Sequence, residues 1–317
     1  DSMEKKDLVE EMRLYIYKLR VDGRYSTAKS YQDALNSFMR FCGLEVIPYI
    51  YVNKENLRRY QAFLLNKGCT WNTVSTYMRR IRCVYNMAVE EGLAPYIPYL
   101  FKGVFTGIES KRKKALPQDL LRSLMTASLD DPELRKTRQA LCLMFQFCGM
   151  SFADLAHLEK SALDRNVLRY NRVKTKTPIS VEVLDTAKEM IHRLRNSQPS
   201  RPDCPDYLFD ILSSDKKRKD ERAYREYQSA LRRFNNHLKS LARALHLTSP
   251  VTSYTIRHSW ATTAKFRGVP IEMISESLGH KSIKTTQIYL KGFELKERTE
   301  VNRKNLHYVK TCPLGRI

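Results

Sequence analysis

Along most of the chain apolar residues recur at intervals of three or four, the period of a helix that buries one face. Leu8 to Arg20 is amphipathic in this sense. Leu35, Phe38 and Phe41 continue the pattern after Arg24–Tyr31, with Ser26 suited to cap the second helix. A third helix is expected from about Asn53 to Asn66. A fourth runs from about Trp71 to Glu90, with Tyr77, Ile81, Val84, Tyr85 and Ala88 inward. The periodicity breaks between Phe105 and Ala115, where glycine and a run of basic residues mark a linker.

Beyond the linker, Pro117 opens a helix, and Leu134 to Phe147 forms a longer one with Leu141, Met144 and Phe145 inside. Val167–Val173 and Ile179–Val183 read as a β-hairpin with Lys174-Thr-Lys176-Thr-Pro at its turn. Arg172 and Lys174, two apart, would share a strand face if pairing continues that far. Asp185 to Asn196 is helical again. Surface loops at Ser197–Pro205 and Ser213–Arg222 precede a long helix whose stripe is Leu231, Phe234, Leu238, Leu241 and Leu245.

The stretch Ser253–Tyr289 is the densest in chemistry. Ser253 is suited to cap a helix with Ile256, Trp260 and Ala264 on its buried stripe and Arg257 beside that stripe, not in it. Gly268 ends this helix, Pro270 opens the next, and Ile271, Ile274 and Leu278 give its apolar face. Gly279 closes it, His280 sits at the corner, and Ser282 caps a third helix that carries Tyr289. Short, stiff connections can therefore bring a guanidinium, an imidazole and a phenol to one place.

Charge narrows the partner. The 317 residues hold 56 Lys plus Arg against 34 Asp plus Glu, a formal net charge of +22. Such an excess suits a polyanion. No long apolar run or N-terminal signal pattern speaks for a membrane. The seven cysteines are scattered without a C-x-x-C pair, which reads as reduced thiols in a cytosolic protein and not as a disulfide frame or zinc site. Neither a Walker loop nor a dinucleotide fingerprint occurs, so no nucleotide or redox cofactor and no metal is implied.

Arginine, histidine and tyrosine together suit chemistry on a phosphodiester. The guanidinium fork pairs two phosphate oxygens, the imidazole handles a proton or hydrogen bond, and the phenol oxygen attacks phosphorus. A helix-turn-helix regulator with a basic surface, in which Tyr289 only packs, fits the same residues.

Tyr254-Thr-Ile-Arg257-His258, Leu278-Gly-His280 and Thr285-Thr-Gln-Ile-Tyr289 resemble the C-terminal signature of the tyrosine site-specific recombinases, His-x-x-Arg, then Leu-Gly-His, then Tyr nine residues on. The wording Arg257-His-Ser-Trp-Ala-Thr and Gly149-Met-Ser-Phe is most similar to the Bacteroidetes branch of integrases and invertases. The resemblance implies a mainly α fold with a small β-hairpin or sheet, built as a two-domain C-shaped clamp on duplex DNA. Residues 1–104 would form a helical core-binding domain, 105–115 a basic linker along the DNA backbone, and 116–317 the catalytic domain with a C-terminal exchange tail. Thr27, Lys29, Arg79, Arg80 and Arg82, with Lys111, Arg112 and Lys113 of the linker, are the implied DNA contacts.

In the catalytic domain the resemblance makes Tyr289 the nucleophile of a 3′-phosphotyrosyl intermediate, Arg257 a phosphate clamp, His280 an aid to proton transfer or positioning, and Lys174 the acid for the leaving 5′ oxygen, with Lys176 the weaker candidate. Two positions depart from the pattern. The family's other phosphate-gripping arginine falls on Ser151, which with Asp154 reads as a capping box, and the branch's alternative falls on Cys148. The family's first histidine falls on Tyr254, which can position a phosphate oxygen but does not titrate near neutrality. Arg172 is expected to replace the missing clamp. The resemblance further implies a homotetramer on synapsed DNA in the cytoplasm, at the nucleoid. A DNA-binding protein without chemistry and a type IB topoisomerase are the alternatives.

Overall fold

The structure is a computed structural model that describes residues 7–109, 115–196, 206–213 and 219–290, with 299–300, 302–304 and 306–307. The chain divides into two compact units, residues 1–112 with 219–225 and residues 113–218 with 226–317.

The first unit is helical. Asp7 caps α1 (Leu8–Val21) by accepting from the Val9 and Glu10 amides. Helix α2 (Tyr25–Cys42) ends at Gly43, whose φ of 67° gives the left-handed turn that glycine takes without strain. Asn53 caps α3 (Lys54–Asn66) and Thr70 caps α4 (Trp71–Glu90). Ser26 falls inside the first turn of α2, and Arg24 holds the cap position without a side-chain bond, so the expected cap moves by two residues. The core is Leu8, Met12, Leu35, Phe38, Leu57, Tyr60, Ile81 and Tyr85 with their neighbours. Buried phenols within it are satisfied: Tyr60 donates to Ser37 Oγ at 2.8 Å and Tyr85 to the Pro95 carbonyl at 2.8 Å. Tyr77 is only half-buried, and Val74 and Met78 take the inward positions of α4.

The chain after α4 does not leave at once. The Phe105 amide donates to Gln61 Oε1 at 2.7 Å, Ser75 Oγ donates to the Gly107 carbonyl at 2.6 Å, and Asn72 and Glu109 exchange two bonds at 3.0 and 2.9 Å. Trp71 meets the Phe105 ring edge-on, with centroids 5.3 Å apart. The first five residues of the expected linker thus belong to the first unit.

The second unit contains α5 (Gln118–Thr126), α6 (Pro132–Gln146), α7 (Phe152–Ala156), α8 (Asp185–Asn196), α9 (Glu221–Ala244, of which 226–244 belong here), α10 (Ser253–Phe266), α11 (Ile271–Ser277) and α12 (Ile283–Tyr289). Three short strands, β1 (Leu163–Asp164), β2 (Val167–Asn171) and β3 (Pro178–Glu182), form an antiparallel sheet in the order β1-β2-β3. The hairpin was legible; the two-residue β1, paired through Leu163 with Leu168, was not. Its core joins Leu141, Met144, Phe147, Leu155, Leu168, Leu238, Leu241 and Ile256, and a smaller cluster of Ala261, Ile274, Leu278 and Leu290 seats α10, α11 and the end of α12. Leu245 lies past the end of α9 and Leu231 is half-buried, so the long stripe is narrower than expected. Among the described residues no helix is long and apolar enough to cross a membrane.

Candidate active site

The site is built where three turns meet α10. The first follows α6. Cys148 and Gly149 both take positive φ, 55° and 70°, and turn the chain sharply into α7. A Cβ on Gly149 would stand 3.2 Å from Trp260 Cβ and 3.4 Å from Arg257 Cα, so glycine permits this turn to lie against α10. Arg257 Nη1 donates to the Gly149 carbonyl at 2.8 Å.

Arg257 is 2% exposed, which corrects its expected place beside the buried stripe: it faces inward. Its Nη2 donates to the Leu278 carbonyl and lies 3.2 Å from His280 Nε2. Helix α10 is capped by Thr252 in a reciprocal box with Thr255, and Ser253, the expected cap, is the first helical residue, with its amide donating to Asn235 Oδ1.

The second turn is the hairpin. Strand pairing ends at Asn171 and Pro178, and Arg172 and Lys176 then exchange turn bonds with Thr177 and Arg172. Because the ladder stops before Arg172, the expected shared face does not form. Arg172 is 5% exposed and points inward, whereas Lys174 stands exposed in the turn with Lys176. Arg172 Nε lies 3.4 Å from Asp154 Oδ2 and Nη1 donates to the Gly279 carbonyl at 3.2 Å. The third turn, Leu278-Gly279-His280, therefore offers consecutive carbonyls to the two arginines. Gly279 has φ 63°, and a Cβ there would fall 2.5 Å from Arg172 Cδ and 2.8 Å from Ile179 Cδ1.

Asp154 does more than the expected cap. The Ser151 hydroxyl accepts from the Asp154 amide at 3.2 Å, as capping requires, but it donates to Asp154 Oδ2 at 2.7 Å. Oδ1 accepts from the Val173 amide at 2.8 Å, so one buried carboxylate fixes both Arg172 and the start of the turn that carries Lys174. Sequence reasoning missed this because the partners are 18 and 19 residues apart.

His280 is half-buried, with Nδ1 2.9 Å from Thr286 Oγ1. Burial foremost, then the positive charges of Arg257, Arg172 and Lys174, push its pKa down to about 4, so the ring is neutral at pH 7. It can position or accept, but it does not hold a spare proton there. Of these cations Arg257 is in direct contact with the ring, its Nη2 3.2 Å from Nε2. Tyr170, which sequence reasoning overlooked, has its phenol pushed up by burial and by Asp154, opposed by Arg257 and Arg172, and stays neutral beside them.

The remaining expected residues are distributed as follows. Tyr289 is the last residue of α12, and Leu290 after it is buried; the Tyr289 side chain lies outside the described residues. Tyr254 is 43% exposed in the first turn of α10, its ring 6.0 Å from that of His258. In the first unit, Arg80 is braced between α2 and α4 by Ser30 Oγ at 3.1 Å and the Tyr31 ring at 4.9 Å; Lys29 pairs with Asp33; Thr27 and Arg82 are half-buried, and Arg79 is exposed. Lys111, Arg112 and Lys113 lie outside the described residues.

Two buried guanidiniums, Arg257 and Arg172, hold consecutive carbonyls of the turn that leads to the neutral His280 ring, a set with the chemistry to stabilise negative charge on a phosphate. The comparisons agree with that chemistry. The chain matches the phage integrase family over residues 114–294 and the phage integrase SAM-like domain over residues 7–104. It is 25% identical over 293 residues to the tyrosine recombinase XerC of Bacillus pumilus, covering 88% of this chain and 90% of that protein. It is 23% identical over 306 residues to the tyrosine recombinase XerD of Listeria monocytogenes, covering 89% and 93%. A lambda integrase dimer bound to a core site superposes with a TM-score of 0.65 at 16% identity, over 90% of this chain and 98% of that one. The Tn1549 transposon integrase in complex with a circular intermediate DNA gives 0.64 at 15%, over 92% and 99%; at these identities the likeness is one of fold. The chain therefore belongs to the phage integrase family and is a tyrosine recombinase, an enzyme of site-specific DNA recombination.

Proposed function

We propose that Tyr289 attacks a phosphodiester of duplex DNA, giving a 3′-phosphotyrosyl link as the bond to the 5′ oxygen breaks, and that Lys174 supplies the proton this oxygen gains. Arg257 and Arg172 share the charge on the non-bridging oxygens, Tyr254 hydrogen-bonds one of them, and neutral His280 positions the phosphate. The observation that carries this reading is the pairing of the two arginines: both are buried and they hold consecutive carbonyls, Leu278 and Gly279, at the turn that presents His280. Arg172 thus supplies a second guanidinium where Ser151 and Cys148 provide none.

Residues 1–104 grip the duplex through Thr27, Lys29, Arg79, Arg80 and Arg82, the 105–115 stretch adds Lys111, Arg112 and Lys113, and 116–317 carries the chemistry and an exchange tail. The working assembly is a homotetramer on two synapsed sites, like the lambda integrase tetramer on a Holliday junction, in the cytoplasm at the nucleoid. Integration, excision and inversion by an element of the Bacteroidetes branch all fit.

The test is covalent-adduct formation on a duplex that the protein selects from a random-sequence pool. Tyr289→Phe should give none. Arg172→Ala should lose about 100- to 1,000-fold in cleavage, the usual cost of one transition-state donor. Lys174→Ala should recover on a substrate whose 5′ oxygen is replaced by sulfur, which leaves without a proton. Near-normal cleavage by Arg172→Ala beside an inactive Lys174→Ala would remove Arg172 from the site. Tight, adduct-free binding by the unaltered protein would favour a silent DNA binder, the reading that Ser151 and Cys148 support.

A further inference from the structure

Thr286 is fully buried in α12, three residues before Tyr289, and its hydroxyl meets His280 Nδ1 at 2.9 Å. The other ring nitrogen, Nε2, lies 3.2 Å from Arg257 Nη2. These two contacts fix the tautomer. A guanidinium only donates, so Nε2 must accept from Arg257 with its lone pair. A neutral ring has one N–H, which is then on Nδ1 and donates to Thr286 Oγ1.

That arrangement suits the contact with Arg257 but not the reaction. A non-bridging phosphate oxygen carries no hydrogen. When it takes the place of Arg257 opposite Nε2, the ring must present N–H there, and Nδ1 must become the acceptor. A carboxylate or backbone carbonyl at the Thr286 position could only accept and would hold the proton on Nδ1. A hydroxyl can turn and donate.

Resting on the phosphodiester reading above, we propose that Thr286 is a positioning residue that lets His280 exchange tautomers, offering a lone pair to Arg257 in the free enzyme and an N–H to the scissile phosphate in the complex. The proton count is unchanged: water delivers one proton to Nε2 and removes one from Nδ1 through a transient imidazolium. Among the described residues Arg257 from α10 touches the ring, and the charges of Arg172 and Lys174 in the hairpin also act on it. All three are cations, which makes a lasting imidazolium costly and favours exchange between neutral forms. Because Thr286 and Tyr289 share a helix, correct seating of the nucleophile and correct protonation of His280 become one event.

The test uses the full chain labelled with 15N-histidine, in a Tyr289→Phe background that prevents turnover, with the duplex selected from the random-sequence pool. Long-range proton–nitrogen correlation should show Nδ1–H for His280 in the free protein and Nε2–H in the complex. With Tyr289 restored, Thr286→Val, which keeps the shape and removes the hydroxyl, should cut more slowly by about 10- to 100-fold, the cost usual for an outer partner of a functional histidine. Its DNA affinity and melting temperature should stay close to those of the parent. Thr286→Ser should restore cleavage to within about threefold, on the same ground that only the hydroxyl matters. An Nε2–H ring in the free protein, no change of tautomer on binding, full activity in Thr286→Val, or no rescue by serine would each overturn the proposal. Adducts that persist in Tyr289→Phe would instead overturn Tyr289 as the nucleophile, and none from the unaltered protein would overturn the phosphodiester reading itself, so the failures are distinct.

Discussion

Asp154→Asn tests the claim that Arg172 is a buried, held cation. The two side chains are 6% and 1% exposed and 3.4 Å apart. At that distance and an effective dielectric of about 20, the attraction is about 5 kcal/mol. Removing one partner of a buried pair usually costs about 3–5 kcal/mol, because the other charge is stranded. Asparagine keeps the size and an oxygen for the Val173 amide, so the loss should fall on the contacts of Oδ2 with Arg172 and the Ser151 hydroxyl, and we expect about 3 kcal/mol. The chain has two tryptophans, Trp71 in the first unit and Trp260 in the second. In a Trp71→Phe background, Trp260 fluorescence in urea reports the catalytic unit alone. Arg172→Met, combined with Asp154→Asn, should recover much of the loss, since no charge is left unpaired. A cost under about 1 kcal/mol, or a double variant whose effects simply add to within about 0.5 kcal/mol, would refute the reasoning.

Other outcomes follow from the same geometry. Gly279→Ala forces a left-handed residue and a Cβ against Arg172 Cδ, so it should cost about 2–4 kcal/mol in urea unfolding and reduce cleavage further by displacing Arg172. With its folded pKa near 4 against 6.5, His280 binds its proton more readily unfolded; DNA-free stability should fall as pH drops from about 6.5 to 4, and His280→Gln should lose that slope in pH-dependent melts. Thr252→Ala breaks the α10 capping box and should cost about 1 kcal/mol by urea titration. Arg79→Ala should weaken binding evenly across sequences and lower the salt slope by about one unit, as a lost phosphate contact does.

Periodicity was enough to read α3, α4 and α8 nearly to the residue, because local spacing and caps such as Asn53 and Thr70 carry that information. The two-residue β1 left no periodic trace, since its pairing exists only through Leu168 across the turn. At the site, the meeting of Arg257 with His280 was legible from motif spacing, whereas the inward turn of Arg257 was not. Its burial depends on carbonyls from Gly149 and Leu278, which bear no side-chain signature. Arg172 was named from elimination on the wrong geometric ground: the strand ends one residue before it, and Asp154 rather than a shared face with Lys174 holds it.

The segment Phe105–Glu109 is bonded to α3 and to the first turns of α4, the helix that carries Arg79, Arg80 and Arg82. Those arginines and the start of the connection to the catalytic residues therefore belong to one stiff piece. Any tilt of α4 displaces Glu109 by a corresponding amount, as a crank moves its arm.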